Sequence, residues 1–202
     1  MSAENVFGKA ITVLEYPDRE ARAAAANAAI EADDKHKQVK QYVNKLKSAY
    51  GDGISVLATI YNATGENIYF SASKDWYGKL YTDSSYPKIL QNGQWGGFLH
   101  CKNDAAPSGT EAAVVFRAKA NDSSGGRADV VIAWDDPWAP GSSNKAYTEI
   151  GENDKYNSAW DEVRSKLASS GASQSGFGFG LYSTVTIPQE SSPILEAVLA
   201  LE

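Results

Sequence analysis

The spacing of apolar residues along the chain changes close to Ile54. Residues 19–50 predict helix, with an alanine-rich first half and a second half in which apolar side chains recur every three or four positions. A charged stretch at residues 31–37 predicts a break between the two halves. From Ile54 onward the period becomes two, which is the period of β-strands. We therefore predict an N-terminal helical region, residues 1–53, packed on a β-domain formed by residues 54–202.

The second part of the chain contains a series of short apolar runs separated by turn sequences. The clearest predicted strands are residues 54–61, 67–72, 112–119, 128–134, 145–150, 177–187 and 194–201. A late helix is predicted from a stripe of Trp160, Val163 and Leu167, with Ser158 placed to cap it. Successive strands with frequent turns are typical of an antiparallel β-sandwich. The expected fold class is mainly β, an antiparallel β-sandwich with an N-terminal helical region and one late helix.

One predicted strand ends in an unusual aromatic loop. The apolar run from Val130 to Trp134 stops at Asp135-Asp136-Pro137, continues through Trp138, and returns as a second run at residues 145–150. Proline fixes φ and cannot donate to a strand ladder, so the loop is held rigid without burying its aromatic residue. Loops on rigid scaffolds often carry binding residues, and we expect this loop to be part of a binding surface.

Composition excludes several classes of partner. The chain of 202 residues has 25 acidic and 19 basic residues, a net charge of −6, and no basic run with interleaved aromatic residues. Nucleic acid is therefore not an expected partner, and attraction to strongly anionic membranes is not expected either. Cys101 is the single cysteine, so no intrachain disulfide can form.

No targeting or membrane-spanning segment is predicted. Residues 1–20 lack the basic start and apolar core of a signal peptide. No apolar stretch approaches the length of a transmembrane helix. We expect a soluble chain that is cytoplasmic in the producing cell.

The sequence contains no recognisable catalytic or metal-binding motif. His36 lies in the charged helical stretch and is expected to be solvated. His100 and Cys101 are adjacent, but neighbouring side chains of a strand point to opposite faces and cannot act together as base and nucleophile. We predict that the protein is not an enzyme and needs no cofactor or metal.

Aromatic residues are more numerous than one sandwich core needs. Aromatic faces beside a carboxylate can bind a trimethylammonium group by cation–π attraction, the interaction that recognises a choline headgroup. The residues with this chemistry in or near turn-rich segments are Trp76, Tyr77, Tyr81, Tyr86, Asp135, Asp136, Pro137, Trp138 and Tyr147. Because sugars also stack on aromatic rings, carbohydrate binding is an open alternative.

Two families resemble this chain. The segment from Trp134 to Trp138 and the Phe177-Gly-Phe-Gly-Leu181 run resemble the actinoporins, which are sandwich toxins that bind sphingomyelin. A closer resemblance is to the nakanori-type and plant jasmonate-induced protein family. It covers Ile60–Gly65, Asp75-Trp76, Tyr86-Pro87, Asn92–His100, Ala113–Arg117, Pro137-Trp138 and Tyr147–Ile150. This resemblance implies an actinoporin-like sandwich that binds sphingomyelin together with cholesterol in the outer leaflet of membranes.

The resemblance to actinoporins is incomplete in two places. Asp135 and Pro137 match the strand-end positions of their headgroup site, but of the positions near their late-helix tyrosines only Trp160 is aromatic, beside Arg164 and Ser165. Residues 18–50 are dense in charge, and inserting such a helix in a bilayer would be costly. We therefore expect peripheral membrane binding without pore formation. The alternatives are a carbohydrate-binding lectin and an intracellular stress-associated interaction protein; direct contact with cholesterol and the oligomeric state are left open.

Overall fold

The computed structural model of the chain describes residues 5–104, 107–122 and 125–202. In these ranges the α-helices are α1 (Arg19–Ala28), α2 (Lys35–Tyr50) and α3 (Trp160–Ala168). The strands are β1 (Val6–Phe7), β2 (Ser55–Ala63), β3 (Ile68–Tyr77), β4 (Lys79–Leu80), β5 (Ile89–Leu90), β6 (Trp95–Cys101), β7 (Thr110–Lys119), β8 (Arg127–Asp136), β9 (Lys145–Glu152), β10 (Ser173–Gly178), β11 (Leu181–Thr186) and β12 (Ile194–Leu201). Short 3₁₀ turns span Ala32–Asp34 and Lys155–Asn157.

The strands form two sheets packed face to face. The first sheet has the order β1-β6-β2-β12-β11-β10, with β4 also paired to β6, and the second has the order β5-β3-β7-β8-β9. Within the described ranges the pairs are antiparallel except β2 with β12, which run parallel. The predicted fold class, a β-sandwich with an N-terminal helical region and a late helix, is confirmed.

The core between the sheets follows from the alternation along each strand. Val114 and Phe116 of β7 point into this interior beside Trp134 of β8, whereas Ala113 and Val115 point to the outer face. The outer face is covered as well, so β7 and β8 are apolar on both sides. Strands buried on both faces give near-continuous hydrophobic runs, which explains the unbroken apolar sequences in the middle of the chain.

Helices α1 and α2 cover the outer face of the first sheet. Ala26 and Val39 pack against Tyr61 and Trp95, and Val43 packs with Leu57 and Leu99 in a neighbouring cluster. These contacts use the apolar faces of both helices, and β1 adds an edge strand to the same sheet. The division of the chain at residue 53 stays a prediction.

The junction of the two helices differs from expectation at His36. The predicted break is present, since Asp33 and Asp34 adopt positive φ values of 56° and 55° there. His36, expected to be solvated, is 9% exposed. Its ring stacks on Trp95 with centroids 4.4 Å apart, and its two nitrogens lie 2.6 and 2.8 Å from carboxylate oxygens of Glu31 and Glu196.

The late helix α3 covers the outer face of the second sheet. Val163 and Leu167 pack on the cluster that contains Ala133 and Tyr147. The predicted cap by Ser158 is wrong, because Ala159 precedes the helix and no side chain caps its first turn. In the described ranges no helix combines the length and apolar character that crossing a bilayer requires.

Candidate functional site

The loop after β8 is exposed in its first part and anchored where it returns. Trp138 is 54% exposed, and a turn closes behind it through a hydrogen bond from Ser142 N to Ala139 O. Asn144 is buried and donates from Nδ2 to the carbonyls of Pro188 and Glu190, 2.7 and 2.8 Å away. The loop is therefore anchored to the sandwich while the indole of Trp138 is exposed to solvent.

Beside this loop lies a cleft of about 380 Å³, which we call the Trp138 cleft. Its lining includes Tyr77, Ser108, Gly109, Thr110, Glu111, Asp135, Pro137 and Trp138. Tyr77 is 50% exposed, so two open aromatic rings border the cleft. The volume is within the range of small-ligand pockets, roughly 300–1,000 Å³.

The cleft depends on a close approach of two backbone segments. A Cβ atom added to Gly109 would lie 1.9 Å from the carbonyl oxygen of Asp136 and 2.7 Å from Cα of Pro137. Any side chain at Gly109 would therefore separate the start of β7 from the end of β8. Glycine is required here because the backbones meet where a side chain would otherwise stand.

Two carboxylates line the cleft, and two cations lie next to them. Glu111, Asp135 and Lys145 lie side by side on β7, β8 and β9. Arg164 of α3 donates from Nε and Nη2 to the two carboxylate oxygens of Glu111, at 2.9 and 2.8 Å. Its guanidinium group also lies 5.3 Å from the ring centre of Tyr77.

Burial perturbs the two aspartates at the end of β8. Desolvation, followed by repulsion from Glu111, raises the pKa of Asp135 to about 6, against the opposing effects of Lys145 and Arg164. Asp136 points to the opposite face, where it is 1% exposed and its Oδ2 has no hydrogen-bond partner among the described residues. Desolvation and then Asp135 raise the pKa of Asp136 to about 7. Asp135 lines the cleft and Asp136 does not.

The structure thus brings together only part of the predicted surface. Tyr77, Asp135, Pro137 and Trp138 line the cleft. Trp76 lies at the edge of the group, half-buried, with its ring edge-on to Trp160 at 6.5 Å and 5.9 Å from the Arg164 guanidinium. Its indole nitrogen has no partner within the described ranges.

The three other predicted tyrosines lie outside the cleft. Tyr81 packs edge-on against Tyr50 on the outer side of the first sheet. Tyr86 stacks on Phe70 with ring centres 5.0 Å apart, and burial raises the pKa of its hydroxyl. Tyr147 is 7% exposed beneath α3 and donates to Glu149 at 2.7 Å. Their place in a binding surface stays a prediction that the geometry does not favour.

Sequence reasoning missed Glu111 and Lys145 as members of this group. The strand over residues 112–119 was predicted, and extending it by one residue places Glu111 at its end. Two carboxylates and one cation at neighbouring strand ends were the available signal. What the sequence did not contain was the position of Arg164, because its contact with Glu111 depends on how α3 packs.

A family model described as Nakanori-like protein matches residues 8–202. The chain is a member of the Nakanori-like family. It is also 37% identical over 197 residues to the 23 kDa jasmonate-induced protein of Hordeum vulgare, with 92% of each chain covered. The expected family membership is confirmed.

Among solved structures, the crystal structure of lipid binding protein Nakanori superposes with a TM-score of 0.82. The match covers 96% of this chain and 99% of Nakanori at 22% sequence identity. At that identity the likeness establishes the Nakanori fold, including the N-terminal helices that pack on the sandwich.

Proposed function

We propose that this Nakanori-like chain is a non-enzymatic lipid-binding protein that recognises sphingomyelin in cholesterol-containing membranes through the Trp138 cleft, without forming pores. The observation that carries the proposal is the cleft itself, where an exposed indole, an exposed phenol ring and a half-buried carboxylate face one space. The association is peripheral and takes place at the outer surface of the target membrane.

The chemistry of the cleft suits a phosphocholine group. Asp135 supplies a negative charge for the trimethylammonium, and Trp138 and Tyr77 supply aromatic faces; each such contact contributes roughly 0.5–2 kcal/mol. Arg164 lies beside them and is paired with Glu111. Its side chain is 42% exposed, so its guanidinium group can also contact a ligand from the solvent side. A guanidinium group in that place can bind the phosphate of the same headgroup.

The family and its named member support a lipid ligand. Nakanori is described as a lipid binding protein, and its fold extends over nearly the whole of this chain. Specificity for sphingomyelin with cholesterol rests on the resemblance of the shared segments to the nakanori-type proteins. The exposed Trp138 would also enter the interfacial region of a bilayer, which tryptophan favours.

The helical region supports binding without insertion. The apolar residues of α1 and α2 already pack on the first sheet. Lys35 and Arg22 are buried at 3% and 6% exposure and hydrogen-bond to groups of the sandwich. Releasing the helices would expose the sheet and break these bonds, so a pore-forming rearrangement would be costly.

A structural role for His100 and Cys101 supports the non-enzymatic assignment. His100 is fully buried and bonds through Nδ1 to the Thr110 hydroxyl and through Nε2 to Asp75. Burial raises the pKa of the Cys101 thiol, which disfavours the reactive thiolate.

Liposome co-sedimentation tests the proposal. Vesicles of sphingomyelin with cholesterol should bind the protein, whereas vesicles of phosphatidylcholine with cholesterol or of sphingomyelin alone should bind it much less. Trp138→Ala should lose binding, and Phe177→Ala, which removes an exposed aromatic ring from β10 of the other sheet, should not. Absence of binding to any mixture would contradict the proposal, and dye release from the bound vesicles would contradict the absence of pores.

The alternatives predict different results in the same assay. A lectin would be displaced by free sugar and would be indifferent to cholesterol. The barley relative is named for its induction by jasmonate, which names no ligand and agrees with a stress-associated interaction protein. Such a protein would bind none of the vesicles.

A further inference from the structure

A second cavity lies at the end of the sandwich opposite to Trp138, where β2 turns into β3 and β7 turns into β8. Its volume is about 550 Å³, larger than that of the Trp138 cleft. Arg22, Glu66, Tyr69, Arg117, Lys119 and Arg127 are among its lining residues. We call it the Arg127 cavity. It contains four cations and one carboxylate, in a protein whose net charge is −6.

The positive charges of this cavity are incompletely neutralised. Glu66 is shared by two cations, since its Oε1 lies 3.0 Å from Nη2 of Arg22 and 3.6 Å from Nζ of Lys119. Arg127 forms no side-chain hydrogen bond or ion pair within residues 5–104, 107–122 and 125–202. Lys119 and Arg127 stand directly opposite each other on β7 and β8. Like charges in that position repel each other.

The other two arginines of the cavity are held in position by hydrogen bonds. Arg117 is bound by Asp129 through two hydrogen bonds and by Asp154 through one. Arg22 donates to the carbonyls of Tyr16, Pro17 and Gly65, as well as to Glu66. Arg22 therefore contributes a fixed positive charge, while Lys119 and Arg127 have side chains that can turn toward a ligand.

Apolar side chains border the same cavity. Val13 and Tyr69 line it and are 58% and 47% exposed. Leu14, next along the chain, is 92% exposed. Exposed apolar residues beside a group of cations form a surface that can meet both the acyl region and the charged headgroup of a lipid.

We propose that the Arg127 cavity is an anion site for a phosphate group that carries two negative charges, with Lys119 and Arg127 as its direct ligands. Arginine and lysine are the usual phosphate ligands. Arg127 has no ion pair within the described ranges and Lys119 shares Glu66 with Arg22, so the excess of positive charge matches a dianion better than a carboxylate. The phosphate can belong to the phosphomonoester headgroup of a lipid or to a free polyphosphate. This site is separate from the Trp138 cleft and does not depend on its function.

Titration calorimetry with inorganic pyrophosphate, and co-sedimentation with phosphatidylcholine vesicles that contain phosphatidic acid, test the site. The double variant Lys119→Gln, Arg127→Gln should bind either probe at least about tenfold more weakly, since each charge-assisted contact contributes about that factor. The matched control is Lys37→Gln, Lys45→Gln, which removes the same charge from exposed positions of α2. This control should bind both probes as the wild type does, and Trp138→Ala should bind pyrophosphate as the wild type does.

The outcomes separate the two sources of phosphate. Binding to pyrophosphate and vesicles, lost in the double variant alone, supports a site for phosphate from either source. Binding to phosphatidic acid vesicles alone, lost in the same variant, supports a lipid headgroup as the ligand. Absence of binding to both probes, or an equal loss in the α2 control, overturns the proposal. Because neither probe contains sphingomyelin, failure here leaves the proposed function of the Trp138 cleft standing.

Discussion

The two ends of the sandwich have opposite chemistry. At one end the Trp138 cleft has carboxylates on its floor, Glu111 and Asp135, beneath exposed aromatic rings. At the other end the Arg127 cavity has cations around one shared carboxylate. The net charge of −6 is a sum over the whole chain and does not describe the charge at either end. Overall charge is therefore a poor guide to the partner of a sandwich whose loops at the two ends differ in composition.

The largest expected effect comes from adding a side chain at Gly109, where two backbone segments meet beside the Trp138 cleft. Gly109→Ala places a methyl group 1.9 Å from a backbone oxygen of Asp136, so the strands must separate. We expect the free energy of unfolding to fall by about 3 kcal/mol, at the upper end for overpacking, and vesicle binding to be lost. Chemical denaturation measures the first effect.

Gly171→Ala is the matched control for this substitution. A Cβ atom at Gly171 meets nothing within 4 Å, and its backbone is outside the left-handed region. Its free energy of unfolding should stay within about 0.5 kcal/mol of the wild type. Equal stability of the two variants would contradict the close approach at Gly109.

A smaller effect on stability is expected from the buried aspartate behind the cleft. The pKa of Asp136 is about 7 in the folded chain against an ordinary 3.8, so between these values the folded state binds the proton more strongly than the unfolded state. Its contribution to stability therefore declines as the pH rises from about 4 to 7. Asp136→Asn should be more stable than the wild type at pH 8, by on the order of 2 kcal/mol, and the gain should vanish near pH 4.

Thermal or chemical unfolding at several pH values measures this difference. Asp104→Asn, at an exposed acidic residue paired with Lys79, should show no such gain at pH 8. A stability difference between Asp136→Asn and wild type that does not change with pH would contradict the assigned shift.

Membrane binding should depend on pH through Asp135. Its pKa of about 6 means that the carboxyl group is ionised at pH 7.5 and mostly protonated at pH 5. If it attracts the trimethylammonium group, binding to sphingomyelin and cholesterol vesicles should weaken about fivefold over that interval. Asp135→Asn should bind weakly at both pH values; an unchanged pH profile in this variant would remove Asp135 from the headgroup site.

The smallest expected effect is at the Arg127 cavity, where one substitution should weaken binding and slightly raise stability. Arg127→Gln removes one of two like charges that face each other across β7 and β8. The free energy of unfolding should rise by about 0.3 kcal/mol, while pyrophosphate binding falls. Denaturation at low ionic strength measures the gain, and Lys45→Gln on α2 should show none. A clear loss of stability in Arg127→Gln would mean that Arg127 has a structural partner.

The parts of the fold that depend on local pattern could be predicted from the sequence. The change of period near Ile54 and the helical stripe of Trp160, Val163 and Leu167 each lie where the pattern places them, whereas the strand predicted to end at Trp134 continues to Asp136. A further local prediction is wrong, besides the Ser158 cap. The run 177–187 is not one strand, because Phe179 and Gly180 adopt φ values of 58° and 67° and divide it into β10 and β11.

The candidate site could be predicted only where its residues are close in sequence. Asp135, Pro137 and Trp138 belong to one segment and stay together in the structure. Tyr86, like Tyr77, is an aromatic residue in or near a turn-rich segment, yet it stacks on Phe70 between the sheets. Side-chain type does not determine which face of a strand or turn points to solvent, and that choice depends on contacts between residues far apart along the chain.

The parallel pairing of β2 with β12 has a consequence for how the protein is made. These two strands are neighbours at the centre of the first sheet, but residues 64–193 separate them along the chain. The second sheet has its hairpins from β7 to β9 in close succession and can begin to form during synthesis. The first sheet can close only after β12 has left the ribosome, so we expect slow folding on the scale of milliseconds to seconds, typical of folds dominated by distant contacts. Until then Leu57 and Ile60 have a strand on one side only, β6, and the edge of β2 that will pair with β12 is unpaired in the nascent chain.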